Sequence, residues 1–454
     1  MNTQLRHLTR RLAVSAMVAV VVSLLAAGAG IAATTTGGWT IVHAGWLLAV
    51  PGSAPATRQS VVIANGRVVR VADGFLSGAD IAHPDAGIVD LSKAYVMPGF
   101  IDLHVHLSGQ YGSGSKLDEV TQSDADVALV AAMYGRRTFD AGFTTVRDVG
   151  SRGRAIFALR DAIRKGVAVG PRIIAAGHMI SATGGHGDIH GFREDVLGLF
   201  KTSAICDGAD DCRRAVRAEI KRGADVIKVA VTGGVLDESS AGTGQQFTDD
   251  ELKAIVETAH ALGRKVTGHA HAAAGIEAAL RAGFDSIDHA MWADRDTMKL
   301  FRKTGAWLIP TIYPITAVGD TPEKMKKGPF KDMPPAIMAK LLKLGKQPKI
   351  MARLAYKMGV KIALGTDAGV YHHGENAHEF LEYVNIGMSP MEALMAGTVN
   401  AAKAAGWSDR IGSLEPGKYA DLVALPGNPL DDINQVLNVI FVMRDGQVFK
   451  SPER

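Results

Sequence analysis

The chain has 454 residues, 47% of them hydrophobic and 21% charged, with a formal net charge of +4 and two cysteines. That length exceeds one small domain and is enough for a large buried core. The near-neutral charge points away from nucleic acid or an anionic surface as partner, and the spacing of two cysteines with no second pair argues against a cysteine-ligated zinc site.

The chain opens with a targeting pattern. Arg6, Arg10 and Arg11 precede an apolar run from Leu12 to about Ala29, which ends in the small residues Gly30-Ile31-Ala32-Ala33. A basic region, an apolar region and an Ala-x-Ala-like exit are the parts of a signal peptide over residues 1–33. Its removal leaves a net charge of about +1. The expected location is outside the cytoplasm, periplasmic or secreted, with membrane attachment only if the segment stays uncleaved. In such a compartment Cys206 and Cys212, close together in an Asp/Gly-rich loop, are expected to pair.

From residue 37 to 97 the pattern is strands only. Thr40–Ala44 and Ser60–Ile63 are apolar runs, and Asn65-Gly66 is a hairpin turn leading into Val68–Val71. Residues 408–454 have the same texture, with Tyr419–Leu425, Val439–Met443 and an Asp445-Gly446 turn into Gln447–Phe449. Two β-rich ends around an α/β middle predict one small β-sandwich built from both ends.

Between them, residues 98–407 repeat helix, glycine and short apolar strand. The strands are Phe100–His106, Phe143–Asp148, Arg172–Ala176, Asp225–Val231, Lys265–His269, Ser286–His289, Trp307–Pro310 and Lys361–Asp367. All but the first follow a glycine suited to a left-handed helix cap, and Thr248-Asp249-Asp250-Glu251 opens one helix with a capping box. Eight such units predict an α/β fold, a (β/α)8 TIM barrel whose site lies at the C-terminal strand ends.

Strand one carries the first polar pair there. His104 and His106 are two apart, so both imidazoles face one way. Lys228 stands alone in the apolar fourth strand, where an unpaired ammonium is costly. His269, His289 and Asp367 end strands five, six and eight. Each has an ordinary reading, as a hydrogen-bonded core histidine or a helix cap. Six of them on one rim point to a joint metal site.

The pattern Gly-Phe-Ile-Asp-Leu-His-Val-His, then Lys228, His269, His289 and Gly-Thr-Asp367-Ala-Gly, resembles the amidohydrolase superfamily. Within it the chain is similar to the imidazolonepropionase-like branch, which holds Xaa-Pro dipeptidases and ochratoxin-type amide hydrolases. The resemblance implies two divalent metal ions. His104, His106 and Asp367 would hold one, His269 and His289 the other, with Lys228 carboxylated on its amine between them. It also implies hydrolysis of a C–N amide bond, with Asp367 passing a proton from the attacking water to the departing amine. Zinc is the expected ion because imidazole dominates the ligands; manganese, cobalt and iron suit the same set.

Three more histidines are candidate substrate contacts: His271, two residues beyond His269; His186 in the Gly-rich loop 181–188; and His373, just after Asp367. The Lys- and Pro-rich stretch from Tyr313 to Pro335 is too long for a simple connection and reads as a lid or an oligomer contact, with a homo-oligomer expected. The sequence has no phosphate loop, no dinucleotide fingerprint and no nucleophile elbow. The expected substrate is a small amide: an Xaa-Pro dipeptide, an N-acyl amino acid or, alternatively, an ochratoxin-type amide. Rivals are a mononuclear deaminase on the same barrel, against which Lys228 argues, and a non-catalytic barrel, against which the complete ligand set argues.

Overall fold

The computed structural model describes residues 38–452 apart from 113–114, 201, 239–241, 320 and 328–332. The expected signal segment, residues 1–33, lies outside the described residues, as does part of the Lys- and Pro-rich stretch. Among the described residues no helix is long and apolar enough to cross a membrane.

Both chain ends enter one sheet. The N-terminal strands are β1 (Trp39–Leu47), β2 (Ala56–Ala64), β3 (Arg67–Asp73) and β4 (Gly87–Pro98). After the α/β middle come β12 (Leu422–Leu425), β13 (Phe441–Arg444) and β14 (Gln447–Lys450), and the sheet runs β14-β13-β12-β4-β1-β2-β3. The join is β4 against β12, antiparallel, with Pro98 opposite Leu422. Asn65-Gly66 and Asp445-Gly446 turn as expected, each with both residues at positive φ. The predicted sandwich is thus one seven-stranded hydrogen-bonded sheet. Its β3 edge meets the C-terminal segment, where Val68 N–H donates to Lys418 O at 2.9 Å. One apolar cluster draws Val42, Val61, Val96, Leu422, Phe441 and Met443 from both ends.

Gly99 separates this sheet from the α/β middle. A Cβ there would lie 2.2 Å from Thr144 Oγ1, so only glycine lets β5 (Phe100–Val105) start tight against β6 (Phe143–Asp148). Parallel pairing then runs β5-β6-β7, with β7 at Arg172–Ala175. A second parallel sheet holds β8 (Val226–Ala230), β9 (Lys265–Ala270), β10 (Ser286–His289) and β11 (Trp307–Ile309). Hydrogen bonds span both seams. Asp225 N–H donates to Ala175 O at 2.8 Å and Ile180 N–H to Lys228 O at 2.8 Å. At the other seam Leu308 N–H donates to Lys361 O at 2.9 Å, and Leu103 N–H to Leu364 O at 2.9 Å.

Lys361–Asp367, expected as the eighth strand, lies in that second seam but is not regular. It makes one bridge from Ile362 to Leu308, and just past its end Ala368 bridges Val105. The cause is local: Gly365 is wedged against both neighbours, and Asp367 turns to φ 59°. The helix-capping glycines behave as expected, Gly223, Gly283 and Gly305 all closing helices in the left-handed conformation. Thr248 and Glu251 form the capping box. Cys206 and Cys212 are joined, their Cα atoms 5.0 Å apart.

Gly365 gives a direct test of the seam. A Cβ there would meet Ile309 Cγ2 at 2.3 Å and His104 Cβ at 2.9 Å. Gly365→Ala should therefore destabilise the protein by about 1–3 kcal/mol, the usual cost of overpacking, and lower activity by displacing His104; thermal unfolding and a rate assay check both.

Candidate metal centre at the strand ends

Every buried polar side chain here must be satisfied or serve a ligand. β5 is buried at all six positions and delivers His104; His106 follows one residue past its end. Asp367 lies opposite. His104 Nε2 and His106 Nε2 are each 3.3 Å from Asp367 Oδ1. Ligand atoms of these three residues all lie within 4.8 Å of one another. Burial by itself would raise the Asp367 carboxyl, but His104, with further hydrogen bonding from His106, holds it well below the usual carboxylate range.

The other candidates cluster around this trio. The His289 ring centroid is 4.8 Å from that of His104 and 4.6 Å from that of His269. His271 lies 4.6 Å from His269 and 5.2 Å from His289, and His186 lies 4.1 Å from His269. Burial, reinforced by neighbouring imidazoles, holds His269 and His289 well below their ordinary range and His271 at about 3. These rings are therefore neutral at pH 7, the form that can donate a lone pair. His269 Nε2 and His271 Nδ1 are buried without a hydrogen-bond partner. An imidazole lone pair left bare in the interior fits a cation.

Lys228 is also at this rim, 2% exposed, and burial lowers its pKa. Its ammonium pairs with Asp288, a residue sequence reasoning passed over. Asp288 is fully buried, and Arg147 Nη2 at 3.3 Å and Thr267 Oγ1 at 3.2 Å also donate to it. Its signal was available: Asp288 lies opposite His269 in the strand register and so faces the same way, while His289, on the other face in simple alternation, is the residue turned at φ 69°. Asp288 Oδ2 lies 3.4 Å from His104 Nδ1, so it also steadies the first imidazole.

The three expected substrate contacts separate. His271 is in the cluster. His186 is held through Nδ1, 2.5 Å from Asp237 Oδ2, and fits because Gly234 has no Cβ: one there would lie 2.1 Å from the imidazole. Lys340 from the helix Pro335–Leu344 donates to Asp237 Oδ1 at 2.8 Å and to Gly234 O at 2.9 Å. The helix that follows the Lys- and Pro-rich stretch thus bears on the His186 loop, and its Ile337 and Leu341 pack with Ile315 and Val318 of the stretch and with Val235 and Met291. His373 is tied elsewhere: its Nε2 is 3.0 Å from Gly109 O and its ring stacks on Tyr134 at 4.5 Å.

An α/β fold of the TIM-barrel type carries its active site at the C-terminal strand ends, where this rim lies. The amidohydrolase family profile matches residues 95–449, and the chain belongs to that family. It is 32% identical to the ochratoxinase of Aspergillus niger, over 93% of this chain and 89% of that protein. It is 26% identical to the imidazolonepropionase of Solibacter usitatus, over 82% and 87%. A crystal structure of a Xaa-Pro dipeptidase with methionine bound in its active site superposes with a TM-score of 0.83 at 38% identity, covering 91% of this chain and all of that one. The protein is an amidohydrolase-type hydrolase.

The Asp288 cradle yields a stability prediction. Asp288→Ala leaves Lys228 and Arg147 buried without their shared anion, and unfolding should show a loss of about 3–5 kcal/mol. Adding Lys228→Met should recover part of it; no recovery in the double variant means the pair does not interact.

Proposed function

We propose that the protein is a binuclear metal-dependent amidohydrolase that cleaves C–N amide bonds of Xaa-Pro dipeptides or N-acyl amino acids. The observation that carries this is the convergence of His104 Nε2, His106 Nε2 and Asp367 Oδ1 beside His269, whose Nε2 has no partner. In this proposal His104, His106 and Asp367 hold one ion and His269 and His289 the other, with Lys228, carboxylated, between them. Hydrogen bonds at both sheet seams support a closed eight-stranded ring beneath the site. The joined Cys206–Cys212 pair and the N-terminal pattern support export to an oxidising compartment. Ochratoxinase among the relatives supports an ochratoxin-type amide as the alternative substrate.

Zinc ions, when bound, would supply Lewis-acid polarisation of the scissile carbonyl and water activation near neutral pH. The chain's residues do the rest. Asp367, kept ionised by its histidine neighbours, takes a proton from the attacking water at a carboxylate oxygen and returns it to the departing nitrogen. His271 faces the substrate from the same rim. His186, its ring fixed through Nδ1 by Asp237, is the proposed contact for the substrate carboxylate.

One observation favours a single-ion alternative. The Lys228 ammonium pairs with Asp288, leaving one compact three-residue group among the described residues. Metal analysis decides. Two ions per chain are expected in the wild type, with Lys228→Ala losing most metal and activity and a short carboxylic acid partly restoring both. One ion per chain in both proteins establishes the single-ion site. A screen of N-acyl amino acids and Xaa-Pro dipeptides tests the reaction, and no turnover of either class defeats the substrate assignment.

Ligation and proton transfer by Asp367 are separable. Asp367→Asn keeps an oxygen but removes the base. Metal occupancy should largely survive while kcat falls toward the upper part of the roughly 10²–10⁴-fold range of general acid–base catalysis. A loss below about tenfold with metal retained makes Asp367 a ligand only, and His271 becomes the first candidate for the proton.

A further inference from the structure

Thr311 lies beside His289 and outside the proposed ligand set. It lies two residues past β11, is 1% exposed, and has φ 47°. A β-branched residue in the left-handed region is strained, and such strain persists only where surrounding contacts over-determine it. Two sets of contacts do so. Its Oγ1 lies 2.7 Å from His289 Nδ1. The next two backbone N–H groups, of Ile312 and Tyr313, donate to the two carboxylate oxygens of Glu379, each at 2.8 Å.

Glu379 is fully buried, and the described contacts pair it with no cation. It belongs to the helix His378–Asn385, which follows the eighth segment. The neighbouring His378 stacks on Tyr313 with ring centroids 4.7 Å apart and planes at 9°. Tyr371 meets Tyr313 edge-on at 4.8 Å, and Tyr313 donates through its hydroxyl to Glu375 at 3.2 Å. The stretch after Asp367 therefore clamps the end of strand seven. The clamp fixes the Thr311 hydroxyl, which touches His289 of strand six.

We infer that Thr311, held in its strained conformation by Glu379, is a positioning residue that selects the tautomer and orientation of His289. In the tautomer that binds a cation through Nε2, Nδ1 carries the proton and donates to Thr311 Oγ1. Without that acceptor the ring can rotate or place its proton on Nε2, where it blocks ligation. Glu379 acts one step further out: its two oxygens hold the backbone on which the Thr311 hydroxyl is carried. This inference rests on His289 being a metal ligand.

The test is a pair of variants that differ by one hydroxyl. Thr311→Ser keeps the acceptor, Thr311→Ala removes it, and both side chains tolerate this backbone about equally. Metal-free protein is titrated with zinc against a chromophoric chelator, which reads affinity without catalysis. Thr311→Ala should lose about 10–100-fold in affinity at one ion, the range usual for removing a histidine's outer partner. Thr311→Ser should stay close to the wild type. Glu379→Gln, which turns one acceptor into a donor facing an N–H, should weaken the same ion while leaving the protein folded by circular dichroism. Equal zinc affinity in the Ser and Ala variants, with a zinc-binding wild type, overturns the positioning role and leaves the metal reading intact. A wild type that binds no zinc overturns both.

Discussion

One buried carboxylate ties the halves of the site together. Asp102 is fully buried, and its Oδ1 accepts from the N–H groups of His104 at 3.0 Å and Thr366 at 3.1 Å. Its Oδ2 accepts from the Thr366 hydroxyl at 2.6 Å and from Asn376 at 2.8 Å. Four donors on one side chain join strand one to a segment more than 260 residues away. His104 itself and Asp367, the residue after Thr366, belong to the group that converges with His106. Burial still wins at Asp102 itself, pushing its pKa up to about 6 against those hydrogen bonds. The irregular eighth segment can depart from strand geometry because this network, rather than a ladder, holds it.

The rim is built from groups that are expensive to bury. Asp288, Lys228 and Arg147 form one fully enclosed charge cluster, and Asp148 nearby is raised to about 6 by burial while accepting the Leu107 N–H at 2.8 Å. His289, Ala290, Thr311 and Asp367 all have positive φ, and all lie at strand ends on this rim. Strain and buried charge coincide where histidines with bare nitrogens gather. Strain and buried charge gathered in one place are features that cluster at functional sites.

Contacts between the loops support the same conclusion. Asp237 is shared by His186 and by Lys340 from the helix Pro335–Leu344, so the loop after β8 and that helix meet at the His186 side chain. Glu379 does the equivalent on the opposite side for strand seven. His373, by sequence an equal candidate for substrate contact, instead braces the strand-one loop through Gly109. Sequence distance from Asp367 did not distinguish bracing from facing the site.

Much was legible in the residues themselves. The strands and capping glycines follow from apolar runs and turn chemistry, which are local. Part of the candidate site was legible: period-two alternation puts His104 and His106 on one face, and a lone lysine in an apolar strand needs a partner. Tertiary structure decided what depends on partners distant in the chain. β4 had no clear alternation of its own and became the central strand only because β1 and β12 flank it. The eighth segment reads as a strand, but Gly365 wedged between Ile309 and His104 makes it irregular. Asp288 and Glu379 look like ordinary acids in sequence. Only the packing shows that one holds Lys228 and the other holds two backbone N–H groups, because a buried acid takes its meaning from whatever the fold brings within hydrogen-bond reach.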